Sequence, residues 1–305
     1  MSELETLAAQ HYQSTLVDVV ECNDTLRIVR VRPDRGVPAF EPGQYVTLGL
    51  GLWEPRVDGV PSEALGEGQA KRLCKRPYSI SHAILGPSGA VIEASAQDFL
   101  ELYVTLIDRA NEGRLAPGLT PRLWRLSKGA RLHVANAVAG DYTLRCVAPG
   151  DDVIFCATGT GEAPHNAMIW SLLSRGHTGR MTSIVGVRHA RDLGYVETHR
   201  ELERRYPNYH YVTLATRDGD APKRYVQDFI AEGGVQARTG APLRPEHTHV
   251  YLCGNPDMIG IPRVKDGVRR YPEKRGVIEA LESLGFQADS KKEKLEGNIH
   301  FEEYW

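Results

Sequence analysis

The first half of the chain alternates apolar and polar positions with a period of two, which is typical of half-buried antiparallel strands. The alternation is clearest where Leu16, Val17 and Val19 precede Leu26 and Ile28. Turn residues separate the alternating segments. We therefore predict an antiparallel β-barrel. Its predicted strands lie within residues 15–31, 45–50, 90–96, 99–107, 130–135 and 141–144.

From residue 151 the pattern changes to a buried apolar strand, a Gly-rich turn and a helix, repeated along the chain. This order is typical of an α/β domain with a parallel sheet. We predict an N-terminal antiparallel β-barrel domain over 1–149 and a C-terminal α/β parallel-sheet domain over 150–305. Ligands bind at the carboxyl ends of the strands in such sheets, and these ends carry Gly, Thr, Arg and Cys residues here. The predicted parallel strands are 153–158, 182–187, 209–215 and 249–253.

The composition limits which classes of binding partner and which cellular compartment we expect for this protein. The chain has 305 residues, of which 41% are hydrophobic and 25% charged, enough for two cores. A net charge of −2 and the lack of a long Lys/Arg run argue against nucleic acid or an anionic membrane surface as a partner. No apolar run approaches the roughly 18 residues that span a bilayer, and the first residues do not resemble a signal peptide. We therefore expect a cytoplasmic protein.

The cysteines and histidines do not predict a metal site. Five cysteines is an odd number, and they are widely spaced with no CxxC pair, which argues against a disulfide framework, a zinc site and an iron–sulfur cluster. His247 and His249 form an HxH pair, but no third ligand stands near them in sequence. No metal is expected.

The RPYS segment, Arg76–Pro77–Tyr78–Ser79, carries the first candidate chemistry. A guanidinium that can fork onto a phosphate, a ring that can stack and a hydroxyl that can hydrogen-bond suit a nucleotide-like cofactor. The same residue types also occur on ordinary surface strands, so both interpretations stay open.

A second candidate lies at residues 118–123, where a turn leads into a short helix. Thr120 is predicted as the N-cap and Pro121 as the first helical residue. Free N–H groups at such a helix start favour an anion. The alternative is a well-capped short helix without a ligand.

Two further candidates follow predicted parallel strands. The turn GTGEAP at 159–164 differs from the GxGxxG fingerprint and indicates only a close backbone approach. Thr216 and Arg217 follow the third strand, and the KRYVQ segment at 223–227 adds cations and a ring. An adenosine 2′-phosphate suits that combination; the alternative is a solvated helix start.

Taken together, these segments resemble the ferredoxin–NADP⁺ reductases. The resemblance covers nearly the whole chain in the right order, and it points to the bacterial ferredoxin/flavodoxin reductases through GLTPRL and the terminal YW. The motifs are RPYS at 76–79, GLTPRL at 118–123, GTGEAP at 159–164, TR with KRYVQ within 216–227, CGNPDM at 253–258 and the terminal EYW.

The resemblance implies FAD and NADP(H) as cofactors. On the flavin side, it implies that Arg76 contacts the FAD phosphates, that Tyr78 packs against the flavin and that Ser79 lies near the reactive N5. Leu119 and Thr120 would hold the FAD pyrophosphate. Pro77 completes this motif.

On the nicotinamide side, the resemblance places Thr160 with Gly159 and Gly161 against the nicotinamide half. Arg188 is implied as a pyrophosphate contact. The residues implied for the 2′-phosphate and adenine pocket are Thr216, Arg217, Lys223, Arg224, Tyr225 and Gln227.

Four residues are implied at the reacting rings. Ser79 and Cys253 would lie beside the flavin N5 and the nicotinamide, and Glu302 corresponds to a carboxylate near the flavin. Tyr304 would stack on the isoalloxazine where nicotinamide must bind, with Trp305 beyond it.

The resemblance implies a monomeric FAD-dependent oxidoreductase that transfers electrons between NADPH and ferredoxin or flavodoxin. Two alternatives stay open: a reductase component serving an oxygenase or another acceptor, and a flavin- and nucleotide-binding electron-transfer subunit without turnover of its own. The loop between Arg217 and Lys223 is shorter than in plant-type relatives. Insertions at 51–75 and 271–297 have no role that the sequence predicts.

Overall fold

The computed structural model describes residues 2–66, 68–86, 88–93, 96–108, 116–219, 223–265, 268–290 and 294–304. Contacts between Cα atoms divide the chain into two compact units, Met1–Asp141 and Tyr142–Trp305. The predicted domain boundary lies after residue 149; in the structure, Tyr142 and Thr143 pack within the second unit, where the Tyr251 hydroxyl donates to the Thr143 carbonyl at 3.0 Å.

The first unit is an antiparallel barrel, as predicted. Among the described residues, six strands close in the order β1-β2-β5-β4-β3-β6 around a core of apolar side chains such as Leu48, Ile80 and Leu102. The strands are β1 (Ser14–Asn23), β2 (Leu26–Pro33), β3 (Tyr45–Gly51), β4 (Leu73–Ser81), β5 (Leu100–Thr105) and β6 (Arg131–Val134), and the helices are α1 (Glu3–His11) and α2 (Thr120–Leu123).

Two of the predicted barrel strands are wrong. Residues 90–93 contribute only an isolated bridge between Leu85 and Val91, and 94–95 lie outside the described residues. Residues 141–144 form no strand, because the Tyr142 ring packs edge-on against Tyr251, 5.5 Å between centroids. In both places the alternation of apolar and polar residues is not sufficient to form a strand, because contacts with other residues determine the conformation.

The second unit contains a parallel sheet in the order β13-β10-β7-β8-β9, as predicted for an α/β domain. Its central strand β7 is almost completely buried, which explains the continuous apolar run in the sequence. The strands are β7 (Asp152–Thr158), β8 (Met181–Val187), β9 (Tyr209–Ala215), β10 (Thr248–Gly254) and β13 (Ile299–Glu303).

Helices and one hairpin complete the second unit. The helices are α3 (Glu162–Ser174), α4 (Val196–Arg205), α5 (Val226–Ala231), α6 (Gly234–Thr239), α7 (Pro256–Ile259) and α8 (Val277–Glu282), and the hairpin pairs β11 (Arg263–Lys265) with β12 (Val268–Arg270). None of the helices within the described ranges is long and apolar enough to cross a bilayer.

Candidate functional site

The RPYS segment lies on β4, which pairs in antiparallel register with β3. Arg76 and Pro77 are exposed, whereas Tyr78 is half-buried against the barrel core and Ser79 is buried. Burial raises the pKa of the Tyr78 hydroxyl, and the nearby Arg76 charge opposes that rise. The segment therefore carries an exposed cation, a half-buried ring and a buried hydroxyl within four residues of one strand.

Helix α2 begins one residue earlier than predicted. Leu119, not Thr120, is the N-cap, and it makes no side-chain capping bond. The Thr120 side chain lies inside the first turn, where its Oγ1 accepts a hydrogen bond from the Ile107 amide at 3.1 Å. Leu119 and Thr120 are both buried, so this turn offers backbone groups rather than exposed side chains.

Arg122, on the same turn, is a feature that the sequence did not reveal. Its side chain is only 3% exposed, and its guanidinium donates to the Glu63 carboxylate at 2.5 Å, to the Gly118 carbonyl at 2.6 Å and to the Leu52 carbonyl at 2.8 Å. Burial favours the protonated form of Glu63, but hydrogen bonds and the charges of Arg122 and Arg56 outweigh it and lower the pKa.

Glu63 belongs to the loop between β3 and β4, which had no predicted role. Arg56 also binds Glu63, and the Val57 amide donates to the Pro121 carbonyl at 3.0 Å. This long loop is thus bonded to α2 at several points. One of them is the ion pair between Glu63 and Arg122, which is largely shielded from solvent. The sequence could not predict this role of the loop, because Glu63 and Arg122 lie far apart in sequence and meet only in the folded chain.

In the second unit, the GTG turn at 159–161 lies against the end of β10. A Cβ atom on Gly161 would lie 2.3 Å from the Cys253 carbonyl oxygen, and one on Gly254 would lie 2.3 Å from Thr158 Oγ1. Gly254 has φ +123°, a conformation that L side chains rarely adopt. Thr158 Oγ1 accepts a hydrogen bond from the Asn255 amide at 2.7 Å. Only glycine allows the two strand ends to approach this closely.

Three predicted catalytic residues meet at this strand end. Cys253 is fully buried and is paired in register with Glu302, and the Tyr304 amide donates to the Gly254 carbonyl at 3.0 Å. Burial raises the pKa of Cys253, the neighbouring Glu302 carboxylate raises it further, and a hydrogen bond with Tyr304 opposes them. The thiol is therefore protonated and acts as a small apolar side chain rather than a nucleophile. Trp305 lies outside the described residues.

The ends of β8 and β9 bring two arginines together. The Arg217 amide donates to the Arg188 carbonyl at 2.8 Å, and Thr216 bonds to the Val187 carbonyl through both its amide and its hydroxyl. Both guanidinium groups are exposed, and neither forms an ion pair with a described residue. This edge offers two unneutralised charges to an anion.

The KRYVQ segment leads into α5. Lys223 and Tyr225 are exposed, and Gln227 is half-buried. The Arg224 guanidinium already has partners within the unit: it forms an ion pair with Glu232 at 2.8 Å and lies over the Phe229 ring at 4.7 Å. Residues 220–222 of the preceding loop lie outside the described residues.

A buried polar cluster lies directly behind the GTG turn. Glu162, the first residue of α3, is 1% exposed, and the Tyr211 hydroxyl donates to its Oε1 at 2.9 Å. His199 Nε2 lies 3.3 Å from the same oxygen, and His199 Nδ1 bonds to the Tyr209 hydroxyl at 2.7 Å. Burial raises the pKa of Glu162 to about 8, and Tyr211 limits the rise. Burial lowers the pKa of His199 to about 3.

The Glu162 carboxyl should make stability fall with rising pH. Folded Glu162 keeps its proton up to about pH 8, whereas the unfolded chain releases it at ordinary glutamate pKa values, so the folded state binds one more proton in between. The unfolding free energy should decline by up to about 1.4 kcal/mol per pH unit across this window. Urea unfolding near pH 7 and pH 8 checks this: Glu162→Gln should remove the decline. Glu201→Gln on exposed α4 should not, and equal slopes in all three proteins would contradict the assignment.

His249 of the HxH pair belongs to a chain of hydrogen-bonded side chains. His249 Nδ1 bonds to His300 Nε2 at 3.0 Å, and His300 Nδ1 bonds to Asp289 at 2.8 Å. No group of three potential ligands that could hold a metal ion occurs in the described part of the chain.

Each unit carries residues that suit part of a nucleotide cofactor. In the barrel, Arg76 and the Leu119–Thr120 turn supply a cation and backbone donors, which suit a pyrophosphate. In the sheet unit, the glycines let the GTG turn pack closely against the end of β10 beside Cys253, and the exposed Arg217 supplies charge directly after β9. The exposed guanidinium group of Arg217 suits a phosphate.

Comparison with known proteins agrees with this arrangement. Residues 155–263 match the model of the oxidoreductase NAD-binding domain. The reductase component of phenol 2-monooxygenase from Pseudomonas sp. is 29% identical over 82% of this chain and 60% of that protein, so the match spans less than two thirds of that relative. The flavodoxin/ferredoxin–NADP reductase of Shigella flexneri is 30% identical over 72% of this chain and 76% of that protein. A ferredoxin NADP⁺ reductase from Neisseria gonorrhoeae, solved with FAD and NADP, superposes with a TM-score of 0.67 at 18% identity, covering 95% of this chain and 97% of that one.

Proposed function

The chain belongs to the ferredoxin–NADP⁺ reductase family, and on that premise we propose that it is an FAD-dependent oxidoreductase that passes electrons from NADPH to ferredoxin or flavodoxin. The observation that carries the proposal is the convergence of the GTG turn, Cys253 and Tyr304 at one strand end. A glycine-rich turn beside a small protonated thiol and an aromatic ring is suited to receiving a nicotinamide.

On the FAD side, Arg76 and the turn at Leu119 and Thr120 would hold the phosphates. Tyr78 would pack on the flavin ring. The buried Ser79 hydroxyl would hydrogen-bond near N5, and Pro77 restricts the backbone between the two side chains that face the cofactor. The Glu63–Arg122 pair would fix the pyrophosphate turn.

On the NADP(H) side, Gly159, Thr160 and Gly161 would receive the nicotinamide half. Arg188 would contact the pyrophosphate. The residues proposed for the adenosine 2′-phosphate and adenine are Thr216, Arg217, Lys223, Arg224, Tyr225 and Gln227. Arg224 would have to leave Glu232 to contribute.

Bound FAD supplies the chemistry, since it accepts a hydride from the nicotinamide and releases electrons singly. The chain would orient the nicotinamide through the GTG turn, beside the small Cys253 thiol. Tyr304 occupies the nicotinamide position and must move aside, and Glu302 places a carboxylate next to Cys253. No covalent nucleophile is required, which is consistent with the buried, protonated thiol.

Removal of Tyr304 and Trp305 should tighten NADP⁺ binding, because the nicotinamide no longer competes with the ring. We expect about a tenfold lower Kd, the equivalent of displacing one aromatic side chain, together with slower turnover. Difference spectra of the flavin on NADP⁺ addition measure the Kd. Glu303→Gln changes the same tail without touching the ring and serves as control, and an unchanged Kd in the truncated protein would rule out ring displacement.

Arg217→Ala should discriminate between the two nicotinamide cofactors. Loss of one charge-assisted contact of about 1.5–3 kcal/mol should reduce kcat/KM for NADPH by about ten- to a hundredfold. NADH lacks the 2′-phosphate and should be little affected. Arg175→Ala, an exposed arginine after α3, is the matched control. Equal losses with NADPH and NADH would remove Arg217 from the phosphate pocket.

A second acceptor is favoured by one observation, the similarity to a phenol 2-monooxygenase reductase component over most of this chain. In that case the electrons would pass to an oxygenase component. Steady-state reduction of purified flavodoxin, ferredoxin and an oxygenase component by NADPH separates the acceptors. Reduction of the oxygenase component alone would replace the proposed acceptor.

A further inference from the structure

The described residues in 261–265 and 268–275 form an appendage of the sheet unit. The chain departs at Gly260, directly after α7, and returns at Gly276, directly before α8. The two glycines touch: a Cβ atom on Gly276 would lie 2.4 Å from the Gly260 Cα, and one on Gly260 would lie 2.6 Å from the Gly276 Cα. The appendage therefore starts and ends at the same place in the unit, and it begins eight residues after Cys253.

One face of the appendage is anchored to the sheet unit. Arg269 on β12 bonds to Glu282 on α8 through Nε at 3.0 Å, and the Tyr271 hydroxyl donates to the same carboxylate. The Glu282 side chain is only 13% exposed, and Ile261 and Tyr271 pack against the apolar core. The hairpin is therefore held in a fixed position.

The opposite face carries unneutralised positive charge. Arg263 and Arg270 are direct partners across the hairpin, and both are exposed. Neither forms an ion pair with any residue in the described ranges. Like charges directly opposite each other destabilise a strand pair, so the arrangement does nothing for the hairpin alone.

Two further features distinguish this face from an ordinary solvated surface. Val268 is 54% exposed and lies two positions before Arg270 on β12, so an apolar side chain lies on the same face as the arginines. Residues 261–276 contain six Lys and Arg against two Asp and Glu, although the whole chain has a net charge of −2. A local basic face with an apolar centre suits a protein partner that is acidic.

We propose that the outer face of the β11–β12 hairpin, formed by Arg263, Val268 and Arg270, docks the acidic electron-carrier protein that this chain reduces. The inference rests on the proposed function, which requires such a carrier. The hairpin follows α7, which itself follows the strand end that holds Cys253, and a carrier has to approach the redox site. Charges at the rim of an interface act mainly on the association rate and on its salt dependence.

The test uses the double variant Arg263→Glu/Arg270→Glu in the full-length, FAD-loaded protein. It replaces one like-charge pair with another, so the hairpin suffers the same internal repulsion. We expect kcat/KM for flavodoxin or ferredoxin to fall by about tenfold at low ionic strength and the difference to shrink in high salt. NADPH oxidation with a small quinone as acceptor should not change. Arg175→Glu/Lys128→Glu alters the net charge equally at two exposed positions outside the hairpin and should leave carrier reduction near the wild-type value.

Different failures point to different parts of the account. If the wild-type protein reduces the quinone but neither carrier, both the proposed acceptor and this docking surface are overturned. If carrier reduction is normal in the hairpin variant, or falls equally in the control, the surface alone is overturned. Loss of binding to anionic lipid vesicles with unchanged carrier reduction would assign the hairpin to a membrane surface instead.

Discussion

Replacing Gly161 with alanine is expected to reduce kcat/KM for NADPH by at least about a hundredfold, the size of effect that a displacement of about 1 Å produces in a reacting geometry. The added Cβ would lie 2.3 Å from the Cys253 carbonyl oxygen and 2.6 Å from its carbon, and both are backbone atoms that cannot rotate away. The GTG turn or the end of β10 must therefore move, and the surface proposed for the nicotinamide moves with it.

Gly150→Ala is the matched control for this substitution. A Cβ atom there meets nothing within 4 Å, and the residue lies just before β7 in the same unit. FAD content should be normal in both variants, because the proposed flavin residues belong to the barrel. Stopped-flow measurement of flavin reduction by NADPH separates the two proteins. Equal rates in Gly161→Ala and Gly150→Ala would contradict the proposed nicotinamide position.

Removing the Glu63 carboxylate is expected to destabilise the barrel by about 3–5 kcal/mol, the usual cost of leaving a buried charge without its partner. Arg122 is 3% exposed, and Arg56, which binds the same carboxylate, is 14% exposed. Because Arg122 belongs to the turn proposed to hold the FAD pyrophosphate, Glu63→Ala should also release FAD. Urea unfolding followed by flavin fluorescence, and the FAD retained after gel filtration, measure the two effects.

Glu21→Ala provides the comparison for the loss of Glu63. It removes the ion pair with Arg27, but the Glu21 side chain is 64% exposed, so we expect a cost below about 1 kcal/mol. Glu63→Gln keeps a hydrogen-bond acceptor for Arg122 without the charge, so its loss of stability should lie between those of Glu63→Ala and Glu21→Ala. If Glu63→Ala loses no more stability or FAD than Glu21→Ala, the loop does not support the flavin site.

The hydrophobic pattern predicted the fold class because each unit has a strong local signal. Strand β7 is buried on both faces, and its apolar run predicts a parallel strand, while β2 alternates as a barrel strand should. The pattern gave wrong strands where contacts with distant residues, and not the local sequence, determine the backbone conformation. Tyr142 and Thr143 alternate like a strand but are held by Tyr251 from another part of the chain.

The sequence indicated which residues carry the site but not how they are supported. Cys253 and Tyr304 were named from motifs, and the parallel register of β10 with β13 brings them together. Arg122 and Glu162 were missed, because a charged side chain gives no local sign of being buried. Their burial depends on Glu63 and on Tyr211, which are distant in sequence and become neighbours only in the folded chain.

The hairpin at 263–270 shows the same limit. Its basic residues are visible in the sequence, but cross-strand pairing of Arg263 with Arg270 and the anchoring of Arg269 to Glu282 are not. The register of β11 with β12 is what distinguishes Arg269, which binds Glu282, from Arg263 and Arg270, which face solvent.

The central claim is that electrons pass from NADPH through FAD to a carrier protein, and anaerobic absorbance measurement of the FAD-loaded chain tests it most directly. Addition of NADPH should bleach the flavin, and subsequent addition of oxidised flavodoxin or ferredoxin should restore the flavin colour as the carrier becomes reduced. A yellow protein whose flavin is not bleached by NADPH would contradict the account and would favour a binding subunit without turnover of its own.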